Sequence, residues 1–174
     1  LPLQLLFLNL LVDVFPALAL GVSRGMPNVM KLPPKDPEES ILTKQSWMMI
    51  STHGVILAIW VIGAYFTGLF YLDVSKEIAN NIAFFGLAFT QLLHVFDMRD
   101  RDEPFFKNQV TRNKYVWYAI GFCAVVILAA YFIPGLNTML SFQPMGTLPW
   151  ILVVATMLLS VGSIQVLKKL KVIQ

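Results

Sequence analysis

Asn9 and Asp13 stand four residues apart inside an apolar run that extends from Pro2 to Val22. Residues four apart share one face of a helix, so the amide and the carboxylate point the same way. A carboxylate in the middle of a lipid-spanning helix costs about 2.5–3.5 kcal/mol to insert, and such a group ordinarily faces protein and serves a function. Pro16 adds a third oxygen, because it has no N–H to give to the carbonyl of Val12, in the same turn as Asp13. Carboxylate, amide and carbonyl oxygens are the ligands of a hard cation. Ca²⁺ takes about 6–8 of them, so this turn can supply part of a site and other helices must supply the rest. The plainer alternative is a carboxylate that pairs with a lysine or hydrogen-bonds a neighbouring helix. Spacing alone leaves the two open.

A second polar face is formed by Thr90, Gln91, His94 and Asp97, at steps of three and four. Hydrogen bonding between helices at the end of a span accounts for His94 and Asp97. His53, two turns into its own run, reads as a packed or interfacial histidine. Cys123, His53 and His94 fall on separate runs without ligand spacing, so no soft-metal site is expected. A single cysteine excludes a disulfide framework.

The elements that must position these residues are long and apolar. Of the 174 residues 57% are hydrophobic and 13% charged, against about 45–50% and about 25% in soluble domains. Roughly 20 helical residues cross about 30 Å of hydrocarbon, and five runs qualify: about 2–22, 47–72, 78–96, 115–133 and 148–167. The runs lack period-two alternation, which disfavours strands. The expected fold is therefore all-α, a multi-pass membrane bundle of five transmembrane helices. All but Lys76 of the 13 lysines and arginines fall in segments 23–46 and 97–114 or in the tail from Lys168. The positive-inside rule then makes those two segments cytoplasmic loops and the C-terminus cytoplasmic. The net charge of +3 sits in short loops rather than on an aromatic-rich basic face, so no nucleic acid partner is expected; the expected surroundings are membrane lipid. Pro134-Gly135 is expected to stop the fourth helix, and Pro149 to sit in the first turn of the fifth.

The string L-P-L-Q-L-L-F-L-N-L-L-V-D-V-F-P-A-L-A-L-G, followed by V-M-K-L-P-P-K-D-P-E-E, resembles the sixth transmembrane helix and following loop of type II P-type ATPases, the calcium and sodium pump group. The family pattern is P-x-Q-L-L-x-x-N-L-x-x-D-x-x-P-A-x-A-L-G with an x-M-x-x-P-P-[KR]-x-P loop. The other four runs are similar to the family's seventh to tenth helices in loop length and orientation. The resemblance implies that Asn9 and Asp13 are cation ligands, that Pro16 marks an unwound turn freeing the Val12 carbonyl, and that Gln91 occupies a further ligand position. It also implies that segment 23–46, with Pro27, Pro33, Pro34 and Pro37, touches upstream ATPase domains of the same polypeptide, where ATP and Mg²⁺ would act. Three positions depart from the pattern. Val12 stands where two-site calcium pumps have threonine, Gln91 where they have glutamate, and Val14 where the family has glycine. The first two weaken the same site, which implies a single-site pump similar to plasma-membrane calcium ATPases.

The sequence has no D-K-T-G-T phosphorylation motif, no Walker-type glycine loop and no nucleophile with a nearby base. The chain is accordingly expected to be inactive alone, without a cofactor of its own. It would be the C-terminal membrane part, residues 1–174, of an ATP-driven pump whose transported cation is Ca²⁺, and its start at Leu1 reads as a cut from a longer protein. The competing expectation is an integral membrane scaffold or assembly subunit with no ion site.

Overall fold

The computed structural model describes residues 2–22, 44–97 and 109–169. The proline-rich stretch up to Thr43, most of segment 97–114 and the tail beyond Lys169 lie outside the described residues, and with them the expectations placed there. Within the described residues every regular element is helical. Five helices are long and apolar enough to cross a membrane: Pro2–Gly21, Ser46–Phe70, Lys76–Asp97, Lys114–Phe132 and Thr147–Lys169.

The first span consists of α1 (Pro2–Leu8), a π-helical turn (Asn9–Asp13) and α2 (Val14–Gly21). α3 (Lys44–Phe70) follows, then α4 (Lys76–His94), which closes in a 3-10 turn (Val95–Asp97). The short α5 (Gln109–Arg112) leads into α6 (Lys114–Phe132), α7 (Pro134–Met139) and α8 (Thr147–Lys169). The 27 residues of α3 reach about 40 Å at about 1.5 Å per residue, longer than the hydrocarbon layer, so the helix must tilt or project.

Local chemistry explains the ends. Ser75 caps α4 by accepting the Ile78 N–H at 3.3 Å, and Asn113 caps α6 by accepting the Tyr115 N–H at 2.9 Å. The same Asn113 donates to the Ala19 carbonyl at 3.0 Å, tying the start of α6 to the end of α2. Pro149 lies in the first turn of α8. α6 ends at Phe132, as Pro134-Gly135 leads one to expect, with Ile133 extended before the proline; Pro134 in addition opens a short helix, α7, as its first residue. A first-turn proline lacks only an N–H that has no partner there anyway.

α4 is the central helix, packed against α3, α6, α8 and the π-turn. Gly68 lets α3 and α4 approach closely, since a Cβ there would meet Ile82 Cδ1 at 3.0 Å. The heart of the bundle is aromatic: the Phe85 ring lies 5.5 Å from Tyr131, 5.1 Å from Phe142 and 5.1 Å from Trp150 between centroids. The Tyr131 hydroxyl accepts the Met145 N–H at 2.6 Å, so the ring set also pins the segment before α8. Helices gain little from leaving lipid for one another, so packing carries the stability. Phe85→Ala is therefore expected to cost about 2 kcal/mol, close to the void term alone for a lost phenyl ring. Reversible denaturation in mixed micelles measures it.

Candidate functional site

The turn that bears Asn9 and Asp13 is π-helical from Asn9 to Asp13. The resemblance implies an unwound turn here, and the structure has a widened one. Pro16 cannot donate to its own preceding turn, and with Val14 in place of glycine the backbone stays helical at φ −72°, ψ −53°. Spacing carbonyls and amides by i→i+5 absorbs the mismatch, and such turns recur at functional sites.

This geometry sorts the residues of the span. Gln4, Leu8, Leu11, Val12, Pro16 and Ala19 are buried against the rest of the chain. Asn9 and Asp13 are exposed, on a side that the described residues leave uncovered. The structure thus keeps amide and carboxylate together and turns them away from the other four spans. The Val12 side chain is buried. One residue earlier, the Leu11 carbonyl accepts the Cys123 thiol at 3.2 Å in a buried contact with α6. Nothing in the sequence pointed to that thiol, because only the fold brings residue 123 to residue 11. Cys123→Ser is expected to be tolerated, since a hydroxyl also donates. Cys123→Val removes the donor and should lower stability by about 1 kcal/mol, read from melting temperatures of the two variants.

Gln91 lies on α4, the helix packed on the π-turn, and its Oε1 is buried with no hydrogen-bond partner among the described residues. No hydrogen bond joins it to Asn9 or Asp13 within those residues. Another polar contact was missed in the sequence: buried Gln4 donates to the Leu140 carbonyl at 2.8 Å and accepts from Asn80 Nδ2 at 2.9 Å. These bonds tether the first span to α4 and to the turn after α7, so the π-turn is held against the bundle from its N-terminal side.

At the end of the bundle where α8 terminates, the structure assembles a second constellation. His53 on α3 approaches Asp97 Oδ2 with Nε2 at 3.1 Å. Lys168 Nζ on α8 lies 2.8 Å from the same oxygen, and Gln165 Nε2 donates to Oδ1 at 2.7 Å. The His53 and His94 rings are tilted on each other at 4.9 Å. Asp97 hydrogen-bonds across helices, as expected, and His53 is packed; His94 meets α3 only through its ring, and its Nδ1 is buried with no hydrogen-bond partner among the described residues. The soft-metal expectation weighed Cys123 with the two histidines; the structure instead brings His53, His94 and Asp97 together, each with a ligand atom within 4.8 Å of the others. Cys123 is not in that group. The histidines are 41 residues apart in sequence, and the antiparallel packing of α3 and α4 is what superimposes them.

A family model described as cation transporting ATPase, C-terminus, matches residues 1–170. The chain is 30% identical over 167 residues to a calcium-transporting ATPase of Listeria monocytogenes, covering 95% of this chain and 18% of that protein. It is 30% identical over 170 residues to calcium-transporting ATPase 1 of Lactococcus lactis, covering 97% and 19%. A calcium-transporting ATPase of Bacillus subtilis is 29% identical over 153 residues, covering 88% and 17%. The chain therefore spans less than a fifth of the length of these relatives.

Proposed function

Because the chain belongs to the family of cation-transporting ATPase C-termini, an integral multi-pass membrane part of such enzymes, we propose that it forms the last five spans of an ATP-driven pump whose cargo is Ca²⁺. The named relatives are calcium-transporting ATPases, which supports the choice of ion. The observation that carries the reading is the π-turn with Asn9 and Asp13 on one uncovered side. A carboxylate on a helix that must cross lipid needs cover and a counter-charge. In the proposed pump, helices outside this chain cover that side, and a cation held between them and the turn neutralises Asp13.

Asn9 and Asp13 supply side-chain oxygens, and the Val12 carbonyl, relieved of a donor by Pro16, supplies a third. Gln91, on α4, offers its unpartnered Oε1 to the ion when the first span swings its polar side toward α4. One ion per cycle follows from the side chains of Val12 and Gln91, which lack the hydroxyl and the carboxylate that a second site would take. The other four spans act as the wall against which the first one moves. Segments 23–46 and 97–114 and the C-terminus lie on the cytoplasmic side, and segment 23–46 meets the domains where ATP is hydrolysed.

The test is ATP hydrolysis by the intact protein in proteoliposomes, with Ca²⁺, Na⁺, K⁺ and Mn²⁺ added singly at rising concentration. Stimulation by Ca²⁺ at the lowest concentration is expected. Stimulation by Na⁺ or K⁺ but not Ca²⁺ would reassign the cargo, hydrolysis indifferent to every ion would remove the ion site, and no hydrolysis at all would favour a scaffold.

A further inference from the structure

Two helices and a turn supply the parts of a metal site at the end of the bundle where α8 terminates. His53 on α3, His94 on α4 and Asp97 in the turn that closes α4 each offer a ligand atom, all within 4.8 Å of one another. His53 Nε2 and Asp97 Oδ2 lie 3.1 Å apart. Two ligand atoms held by one tetrahedral Zn²⁺ stand about 3.3 Å apart, so this edge already has the spacing that coordination needs. The other edges, at most 4.8 Å, close by about 1.5 Å or less as the His94 ring turns inward.

Three further observations favour ligation over packing alone. His53 Nδ1 lies 2.7 Å from the Met49 carbonyl. A carbonyl only accepts, so Nδ1 holds a hydrogen, and Nε2, the nitrogen turned to Asp97, is the one that can ligate. Gln165 Nε2 donates to Asp97 Oδ1 at 2.7 Å, which orients the carboxylate and leaves Oδ2 for an ion. His94 Nδ1 is buried with no hydrogen-bond partner among the described residues, so those residues do not satisfy this ring.

We infer that His53, His94 and Asp97 bind a divalent first-row transition metal, for which Zn²⁺ is the probe, and that the bound ion clips α3 to the end of α4. Two imidazoles and a carboxylate suit Zn²⁺ and its neighbours, whereas Ca²⁺ and Mg²⁺ take oxygen ligands. The site is therefore distinct in chemistry from the turn at Asn9 and Asp13. Lys168 is the competitor. Its ammonium lies 2.8 Å from Asp97 Oδ2 and 3.3 Å from the Asp97 carbonyl. The side chain is partly exposed in the last turn of α8, so it can yield Oδ2 to the metal and extend toward the interface. Metal and ammonium exchange at one oxygen, and removing the ammonium must tighten the metal.

The experiment titrates Zn²⁺ into the tag-free intact protein in nanodiscs by calorimetry, and follows amide exchange of residues 47–55 at saturation. The wild type is expected to bind micromolar Zn²⁺ in the presence of excess Ca²⁺, and binding should slow exchange in that stretch at least about tenfold. His53→Gln, His94→Gln and Asp97→Asn should each weaken binding at least about tenfold, the least that losing even an outer partner of a ligand costs. His94→Gln leaves the hydrogen bonds to Asp97 in place, so its effect is not a loss of folding. Lys168→Met should bind more tightly, and Asp13→Asn as tightly as the wild type. No binding of micromolar Zn²⁺, or binding that survives both His53→Gln and His94→Gln, overturns the inference. So does binding displaced by Ca²⁺ or abolished in Asp13→Asn, which would put the metal at the π-turn. Exchange indifferent to Zn²⁺, or binding no tighter in Lys168→Met than in the wild type, overturns it equally.

Discussion

Asp13→Asn in the intact protein is expected to reduce apparent Ca²⁺ affinity in ATP hydrolysis by on the order of 100-fold, with the membrane domain still folded. The size follows from removing the one formal negative charge that the π-turn would contribute to the proposed hard-cation site, where charge count among the ligands sets affinity. Losing even an outer-shell partner of a metal ligand costs about 10–100-fold. Folding is spared because the carboxylate is exposed within this chain and its burial in lipid ceases to be a cost once it is neutral. Asn9→Ala should show the same direction with a smaller effect, since an amide oxygen carries no formal charge. Calcium-dependent phosphorylation by ATP, titrated against free Ca²⁺, reads both. Normal affinity in Asp13→Asn would remove the ion from this turn while leaving the family membership untouched.

The fold was legible because lipid imposes a crude rule: each crossing needs about 20 apolar residues, and few runs in a chain satisfy it. Boundaries shifted where polar residues continue a helix beyond the apolar layer, as at Lys44, which starts α3 three residues before Trp47. The chemistry was legible only where it is local. Asn9, Asp13 and Pro16 speak through their spacing along one helix, and the structure has Asn9 and Asp13 at the two ends of one widened turn with Pro16 in the α-helix that follows. That this turn faces away from the other spans depends on which flank carries Gln4, Leu8 and Pro16 into the bundle, and both flanks are rich in leucine. Hydrophobicity does not discriminate between a lipid face and a protein face here, because both are apolar. The His53, Asp97 and Lys168 junction draws on three helices and on residues 115 positions apart in sequence at the extremes. No periodicity within one helix encodes such a meeting.

Asp97 is where this tertiary chemistry has its largest expected effect on stability. The carboxylate side chain is 5% exposed and receives His53, Lys168 and Gln165. Asp97→Ala removes the acceptor for all three while leaving their donors in place. Breaking one side of a buried ion pair costs about 3–5 kcal/mol, because the remaining charge is left without compensation. Lys168 is 22% exposed and sits in the last turn of α8, so its ammonium can swing toward the interface and recover part of that cost. The expected loss is therefore about 3 kcal/mol, at the lower end of the range. Asp97→Asn keeps one acceptor oxygen and should lose roughly half as much, since a hydrogen bond to a neutral group is worth about half of a charge-assisted one. Lys168→Met, which packs its stem without the charge, should fall between them. Denaturant titrations of the nanodisc-reconstituted protein rank the three. A loss below about 0.5 kcal/mol in Asp97→Ala, the range of ordinary surface substitutions, would mean that the junction does not hold α3 to α8, since the carboxylate is the atom group on which both helices meet.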